Sequence, residues 1–158
     1  MAVLYYYDIV FALSFFLSIL YIHFWWKYYD TNISIIFVLV PIINLGYDFL
    51  AHRKDVSSAI ISLKFTYLGC FLVFFVTMCM LNFCDIKITK LLKISFGFIN
   101  TGLFILSLTI GYAKFFYRGL SMVENDGKFY LVKDYGPVHT VFVCVMVAYI
   151  FVWAGIVL

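Results

Sequence analysis

Two ionisable residues lie inside apolar segments of the sequence, where charged side chains are rare and are commonly functional. Asp48 lies near the end of one apolar run, and Lys64 lies in the next. If the two runs form antiparallel helices at about 1.5 Å per residue, both side chains fall roughly 10–14 Å below the same surface. Their positions predict an intramembrane ion pair. The alternative is that Lys64 extends to the surface while Asp48 lies at the interface.

The cysteines and histidines lack the spacing of a metal or haem site. No two of the four cysteines form a CxxC pair, and three lie well inside apolar segments, where cysteine is commonly a packing residue. A bis-histidine haem needs two ligands at matching depth on facing helices. His23 ends the first apolar segment and His139 begins the last, on the opposite side, whereas His52 and His139 are both interfacial. We therefore predict no metal and no cofactor.

A proline, an asparagine and a glycine follow one another in the apolar run before Asp48. Pro41 removes a helix hydrogen bond and leaves the carbonyl of Phe37 without its backbone donor. Because Asn44 and Gly46 follow within two turns, the pattern predicts a kink with a polar group at mid-depth. The kink is either an ordinary packing feature, with Gly46 allowing a neighbouring helix to approach, or a hinge or part of a pocket.

The sequence carries no motif of a known catalytic or phosphate-binding site. GxGxxG, the Walker loop, HExxH and a nucleophile–base motif are all absent. We therefore predict no catalytic residue and no enzyme activity in this chain. The sequence also shows no convincing internal repeat, which argues against a transporter built from paired halves.

The composition indicates which elements must hold these residues. The sequence is 66% hydrophobic and 12% charged, whereas a soluble domain is near half apolar and a quarter charged. This balance excludes a water-soluble domain of this size and a disordered chain. The net charge of +3 is too small and too scattered for nucleic-acid binding. We therefore predict an integral membrane protein whose immediate partner is the lipid bilayer.

Five apolar stretches are each near the ~20 residues that a helix needs to cross roughly 30 Å of hydrocarbon. Backbone groups in lipid must be paired internally, and the stretches do not alternate as barrel strands do, so they predict helices. The fold class is thus an all-α membrane protein, a bundle of five transmembrane helices in a single domain over residues 1–158. The predicted spans are residues 9–26, 33–51, 59–82, 94–113 and 138–158.

Residues 115–136 form the longest segment outside the predicted spans. Asn125-Asp126-Gly127 lies between two β-prone runs, which predicts a short β-hairpin between the fourth and fifth helices. Tyr135-Gly136-Pro137 ends this loop, and Pro137 suits the first turn of the fifth helix. His139 is either an ordinary interfacial side chain or a hydrogen-bond partner of the loop or of a ligand. The loop itself is either a cover over the helix ends or a lid that faces a ligand.

The ends of the sequence give further expectations about topology. Lys and Arg residues do not separate cleanly between the two sides, but the N-terminal tail has none, which favours an N-terminus outside. The first span is interpreted as a retained signal anchor, because no basic leader or small-residue cleavage site accompanies it. The sequence ends inside an apolar run, which favours a truncated chain over a natural C-terminus.

Several short motifs occur together in a familiar order. The first is FVLVPIINLGY at residues 37–47, and the second is AIISLKFTYLG at 59–69, followed by NFCDIK at 82–87. The third runs from FYR at 116–118 through DGKFYLVK at 126–133 to YGPVH at 135–139. In order and spacing they resemble the N-terminal seven-helix membrane domain of bacterial sensor histidine kinases, diguanylate cyclases and cyclic-di-GMP phosphodiesterases. The resemblance covers about residues 5–158.

The resemblance implies a seven-helix domain in the bacterial inner membrane with the N-terminus outside, followed by a cytoplasmic output domain in a homodimeric full-length protein. The loop over residues 115–136 then faces the exterior. The chain departs from the family by ending in the fifth span, and Asp48 stands where an apolar residue is expected. The resemblance implies that the sensing bundle is lined or supported by Pro41, Asn44, Lys64, Tyr67 and His139.

Taken together, these features predict a sensory membrane module. It would detect an unknown small ligand or membrane stimulus and relay it to an output domain absent from this chain. One alternative is a small transporter or channel subunit with a polar path along Asn44, Asp48 and Lys64, and another is a structural membrane subunit. The candidate sensing and hinge residues are Pro41, Asn44, Gly46, Tyr67, Tyr135 and His139.

Overall fold

A computed structural model gives the architecture and describes residues 2–125 and 128–158. Over these residues most of the chain is helical, and the one extended segment is a hairpin between the last two helices. The elements in chain order are α1 (Ala2–Phe24), α2 (Thr31–His52), α3 (Val56–Thr66), α4 (Gly69–Phe83), α5 (Lys90–Leu108), β1 (Tyr117–Asn125), β2 (Lys128–Tyr135) and α6 (Pro137–Val157).

Five helical segments are long and apolar enough to cross a membrane, and α3 and α4 together make the third of them. This result confirms the five predicted helices. Their outer faces carry large apolar side chains, such as Phe151, which is 73% exposed and can be solvated only by lipid or by another apolar surface. The protein is therefore a multi-pass membrane protein. Its candidate spans are Tyr5–Phe24, Thr31–His52, Val56–Phe83, Lys90–Leu108 and Pro137–Val157.

Side-chain caps fix where three of the helices begin. Asp30 Oδ1 accepts a hydrogen bond from the backbone N–H of Asn32 at 2.6 Å, and α2 starts directly after it. Asp55 caps α3 through the N–H of Ser58 at 2.8 Å, and Thr89 caps α5 in the same way. Such caps satisfy backbone donors that the first helical turn leaves free.

The third span departs from regular α-helix in its middle. α3 ends at Thr66, α4 begins at Gly69, and the N–H of Leu68 bonds the carbonyl of Phe65, three residues back, at 3.2 Å. Thr66 Oγ1 also donates to the carbonyl of Leu63 at 2.8 Å, which competes with regular helical bonding. The residues between α3 and α4 form a tightened turn of the kind that often marks a hinge inside a helix.

α2 is helical without interruption through Pro41. The carbonyl of Phe37, which Pro41 leaves without a backbone donor, accepts a hydrogen bond from Ser18 Oγ of α1. Tyr21 of α1 stacks on the ring of Phe37, with 4.1 Å between centroids and 2° between planes. The structure thus gives Pro41 a place in the packing of α1 against α2.

β1 and β2 pair antiparallel as a two-stranded hairpin in which Tyr117 lies opposite Tyr135. A bulge directly after Tyr117 takes Arg118 out of the pairing register. The hairpin predicted for this loop is confirmed. Its predicted turn residues Asp126 and Gly127 lie outside the described residues.

Candidate functional site

Aromatic side chains from the third span, the hairpin and α6 meet beneath the base of the hairpin. Tyr67, Tyr135 and His139 are separate candidates in the sequence, and the structure brings them into this one group. The partners that complete it come from the start of β1 and the first turns of α6. We call it the hairpin-base cluster, and its members are Tyr67, Phe116, Tyr117, Tyr135, His139 and Phe142.

A hydrogen bond between two tyrosines joins the tightened turn of the third span to the hairpin. The hydroxyls of Tyr67 and Tyr117 lie 2.5 Å apart, and the two residues are 7% and 6% exposed. The Tyr67 ring also packs edge-on against Phe116 at 4.6 Å and Phe142 at 5.0 Å between centroids. Burial raises the pKa of Tyr117, so its phenol is neutral and serves as a hydrogen-bond donor or acceptor.

A close approach between two chain segments holds the base of the hairpin on α6. The N–H of Gly136 donates to the carbonyl of Phe116 at 2.8 Å, and the N–H of Val138 donates to the carbonyl of Phe115 at 3.1 Å. A Cβ atom at Gly136 would collide with the carbonyl oxygens of Lys114 and Phe115. Glycine is therefore required at this position, and it allows the residues before α6 to lie directly against the residues before β1.

The outer part of the hairpin-base cluster contains an imidazole and lies beside a cation. The ring of His139 is 4.1 Å from that of Tyr135 and 5.7 Å from that of Tyr117. Lys133 Nζ lies 6.0 Å from the centroid of the Tyr117 ring. Burial lowers the pKa of Lys133, and the positive charge of Arg53 lowers it further. This part of the cluster therefore combines an imidazole with a nearby ammonium group, which suit polar or anionic ligands.

α2 reaches the same region through a glycine. Gly46 lies against α3 just before the tightened turn, where an added Cβ would come within 2.7 Å of Phe65 Cβ and 3.0 Å of the Thr66 nitrogen. This is the close helix approach that the sequence favoured for Gly46. Of the other candidates on α2, Pro41 is buried near α1 and Asn44 is half-buried; neither belongs to the hairpin-base cluster.

The structure does not bring Asp48 and Lys64 together as an ion pair. Lys64 Nζ lies over the ring of Tyr112, 4.9 Å from its centroid, whereas the carboxylate of Asp48 lies 3.4 Å from His52 Nδ1. Tyr112 follows the end of α5, so the long Lys64 side chain extends towards the surface and rests on an aromatic face. The predicted pair is therefore replaced by two separate contacts.

Asp48 belongs instead to a group where α1 begins and α2 ends. His52 Nε2 lies 3.6 Å from Asp8 Oδ1, and the three ligand atoms of Asp8, Asp48 and His52 lie within 4.8 Å of one another. Among the described residues, these side chains have the composition and spacing that could hold a metal ion, although Asp8 and His52 are nearly half exposed. This group was not predicted from the sequence, because Asp8 lies outside the predicted first span.

Buried polar side chains also join α4, α5 and α6 inside the bilayer region. Asn100 of α5 donates from Nδ2 to the hydroxyl of Tyr149 on α6, and Trp153 Nε1 donates to Thr77 Oγ1 on α4 at 2.8 Å. Asn100 and Thr77 have no exposed surface. Such bonds stabilise helix packing where water is absent, and no feature of the sequence alone identifies which helices they join.

The hairpin-base cluster contains groups that can bind a ligand. Phenols and an imidazole supply hydrogen bonds, and their rings supply faces for stacking. Comparisons with models of protein families, with curated proteins and with solved structures give no match for this chain. What bears on function is therefore the membrane-spanning bundle and the contacts that tie its hairpin to the third span.

Proposed function

We propose that this chain is the sensory input region of a bacterial signal-transduction protein in the inner membrane. Its N-terminus and hairpin lie outside the cell, and a small ligand or a membrane stimulus acts on the hairpin. The output domain, a histidine kinase or an enzyme of cyclic-di-GMP metabolism, is cytoplasmic, and the full-length protein is a homodimer. The observation that carries this proposal is the Tyr67–Tyr117 hydrogen bond, which ties the hairpin to the tightened turn of the third span.

A sensor needs an element with two arrangements and a ligand-facing segment that biases them. The tightened turn is a candidate for that element, because its backbone bonding is already irregular. The hairpin is a candidate for the ligand-facing segment, because many of its side chains are exposed. Movement of the hairpin would either carry Tyr67 with Tyr117 or break the hydrogen bond between them.

The free energy of this hydrogen bond limits how far its loss can shift the balance between two arrangements of the protein. A change from 1:99 to 99:1 between two arrangements requires about 5.5 kcal/mol of differential binding energy. A single hydrogen bond contributes about 1 kcal/mol, which shifts such an equilibrium roughly fivefold. Removing the Tyr67 hydroxyl should therefore change the basal output several-fold without abolishing it.

The test uses the full-length product of the gene, reconstituted in lipid nanodiscs. The proposal expects the reading frame to continue past Leu158 with further spans and an output domain, whose kinase or cyclase activity is the readout. Tyr67→Phe and Tyr117→Phe should each change the basal activity roughly fivefold, and deletion of residues 120–133 should remove the response to stimulus. The matched control is Tyr28→Phe, because Tyr28 is 82% exposed.

Two results would contradict the proposal. One is a gene that encodes no signalling domain beyond this region. The other is an output that stays at the wild-type level in both tyrosine variants and still responds when the hairpin is deleted. Either result would leave the Tyr67–Tyr117 bond as a packing contact alone.

A further inference from the structure

We propose that a cavity between the start of α3 and the base of the hairpin binds a phosphate-bearing anion at the membrane surface. The cavity has a volume of about 250 Å³ and includes Lys114, Arg118, Tyr112 and Tyr117 in its lining. The cavity shares Tyr117 with the hairpin-base cluster, but binding of an anion there does not require the proposed function.

The two charged side chains in the lining of this cavity are both positive. Its lining holds Lys114 and Arg118 and no acidic side chain. A third cation, Lys64, lies against the ring of Tyr112. In the part of the chain that the structure describes, every ion pair within 4 Å involves His52, so neither Lys114 nor Arg118 is in direct contact with a carboxylate. Asp55 and Asp134 adjoin the cavity but are not in its lining. Two cations on one concave surface favour the binding of an anion.

The backbone brings both cations to the same cavity. After α5 the chain turns at Gly111, which has a φ of +92°, and a Cβ atom there would approach Ile60 Cδ1 to 2.9 Å. This turn leads directly to Lys114, and the bulge after Tyr117 takes Arg118 out of the strand register. Both features belong to the backbone, so the fold determines where the two side chains leave the chain.

The depth of the cavity matches the level of lipid headgroups. It lies where α3 begins at Val56 and just after α5 ends at Leu108, with Tyr112 89% exposed at its edge. Tyrosine is typical of this level of a membrane. An arginine binds phosphate oxygens in a bidentate manner and a lysine acts as a point charge. The ligand group that fits this cavity is thus a phosphate, and either an anionic lipid or a soluble phosphate compound can supply it.

The experiment has one arm for each source. In the first arm, native mass spectrometry compares retention of phosphatidylglycerol and phosphatidylcholine by the detergent-purified protein. In the second, calorimetry measures the binding of inorganic phosphate and of glycerol 3-phosphate to the protein in phosphatidylcholine nanodiscs. The double variant Lys114→Gln/Arg118→Gln should weaken binding about tenfold or more, because it removes two charge-assisted contacts.

Two further variants test whether binding depends on this cavity or only on the positive charge of the protein surface. Lys87→Gln/Lys90→Gln removes the same charge at the opposite end of α5 and should leave binding unchanged; both residues are exposed. Ala113→Phe keeps every cation and fills the cavity, so it should weaken binding as strongly as the loss of the two cations. Each variant is compared with the wild-type chain by thermal unfolding, which should not change for the exposed lysine and arginine positions.

The possible results either identify the type of ligand or overturn the proposal. Selective retention of phosphatidylglycerol alone assigns a lipid headgroup, binding in the phosphate arm alone assigns a soluble ligand, and binding in both assigns a site open to either. The proposal is overturned if the wild-type chain prefers no anion in either arm. It is also overturned if the Lys87/Lys90 control weakens binding equally, or if Ala113→Phe leaves binding intact.

Discussion

The loss of a single hydroxyl tests whether the hairpin and the third span are energetically coupled. Tyr67→Phe keeps the ring contacts with Phe116 and Phe142 and deletes the group that bonds Tyr117. Because Tyr117 is only 6% exposed, its own hydroxyl is left buried without this partner. We expect the free energy of unfolding to fall by about 1–3 kcal/mol, the range for a buried polar group that loses its hydrogen bond.

The measurement is reversible unfolding in mixed detergent micelles, followed by far-ultraviolet circular dichroism. Tyr117→Phe and the double variant complete a double-mutant cycle. In the double variant no buried hydroxyl is left unpaired, so its loss should be smaller than the sum of the single losses by about 1 kcal/mol. Tyr28→Phe, at an 82% exposed position, should change the unfolding free energy by less than about 0.5 kcal/mol.

Strict additivity in this cycle would refute the reasoning, because two hydroxyls that do not interact contribute independently. The same conclusion would follow if Tyr67→Phe were as mild as Tyr28→Phe. In either case the hairpin would be held by ring packing, and the proposed relay through Tyr67 would lose its physical basis.

Three further substitutions test other contacts in the same unfolding assay. Ser18→Ala should cost about 1 kcal/mol, because it removes the donor to the carbonyl that Pro41 frees; in a Pro41→Ala background, where a backbone N–H returns, an equally large loss would contradict this. Gly46→Ala should destabilise by about 1–3 kcal/mol through overpacking against α3, whereas Gly102→Ala, with open space, should be neutral or stabilise by up to about 1 kcal/mol. Lys133→Met should stabilise the protein at neutral pH, because burial lowers the pKa of Lys133 and disfavours its charged form in the fold. This gain in stability should shrink as the pH rises from the lowered pKa of Lys133 in the folded protein towards its ordinary pKa of 10.5, because Lys133 then loses its proton in both the folded and the unfolded chain. A gain that did not depend on pH would show that the charge of Lys133 is not the cause.

The sequence was sufficient to predict the elements, because lipid imposes a simple rule on each of them. An apolar run of spanning length has no stable alternative to a helix in a bilayer, and helix occupies most of each of the five predicted spans. The hairpin was also predictable, since a turn signal separates two β-prone runs. The ends of the helices differ from the predicted ends by several residues where a capping residue determines them. With Thr89 as its N-cap, α5 begins at Lys90, four residues before the predicted span.

Contacts between elements were harder to predict, and the Asp48–Lys64 pair shows why. Counting residues from a turn gives the depth of a side chain in the membrane but not its direction around the helix axis. Asp48 and Lys64 share a depth in that calculation, yet the first contacts His52 and the second rests on Tyr112. The sequence likewise marked Tyr67 and His139 individually, but their meeting depends on how Gly136 docks the hairpin on α6.

The tightened turn in the third span is the feature that no local pattern predicts, and its surroundings account for its position. On one side Gly46 lets α2 press against Phe65 and Thr66 directly before the turn. On the other side Tyr67, within the turn, is bonded to Tyr117 of the hairpin. The turn is therefore held between α2 and the hairpin, and under the proposed function a displacement of the hairpin would act on the part of this span whose helical bonding is already irregular.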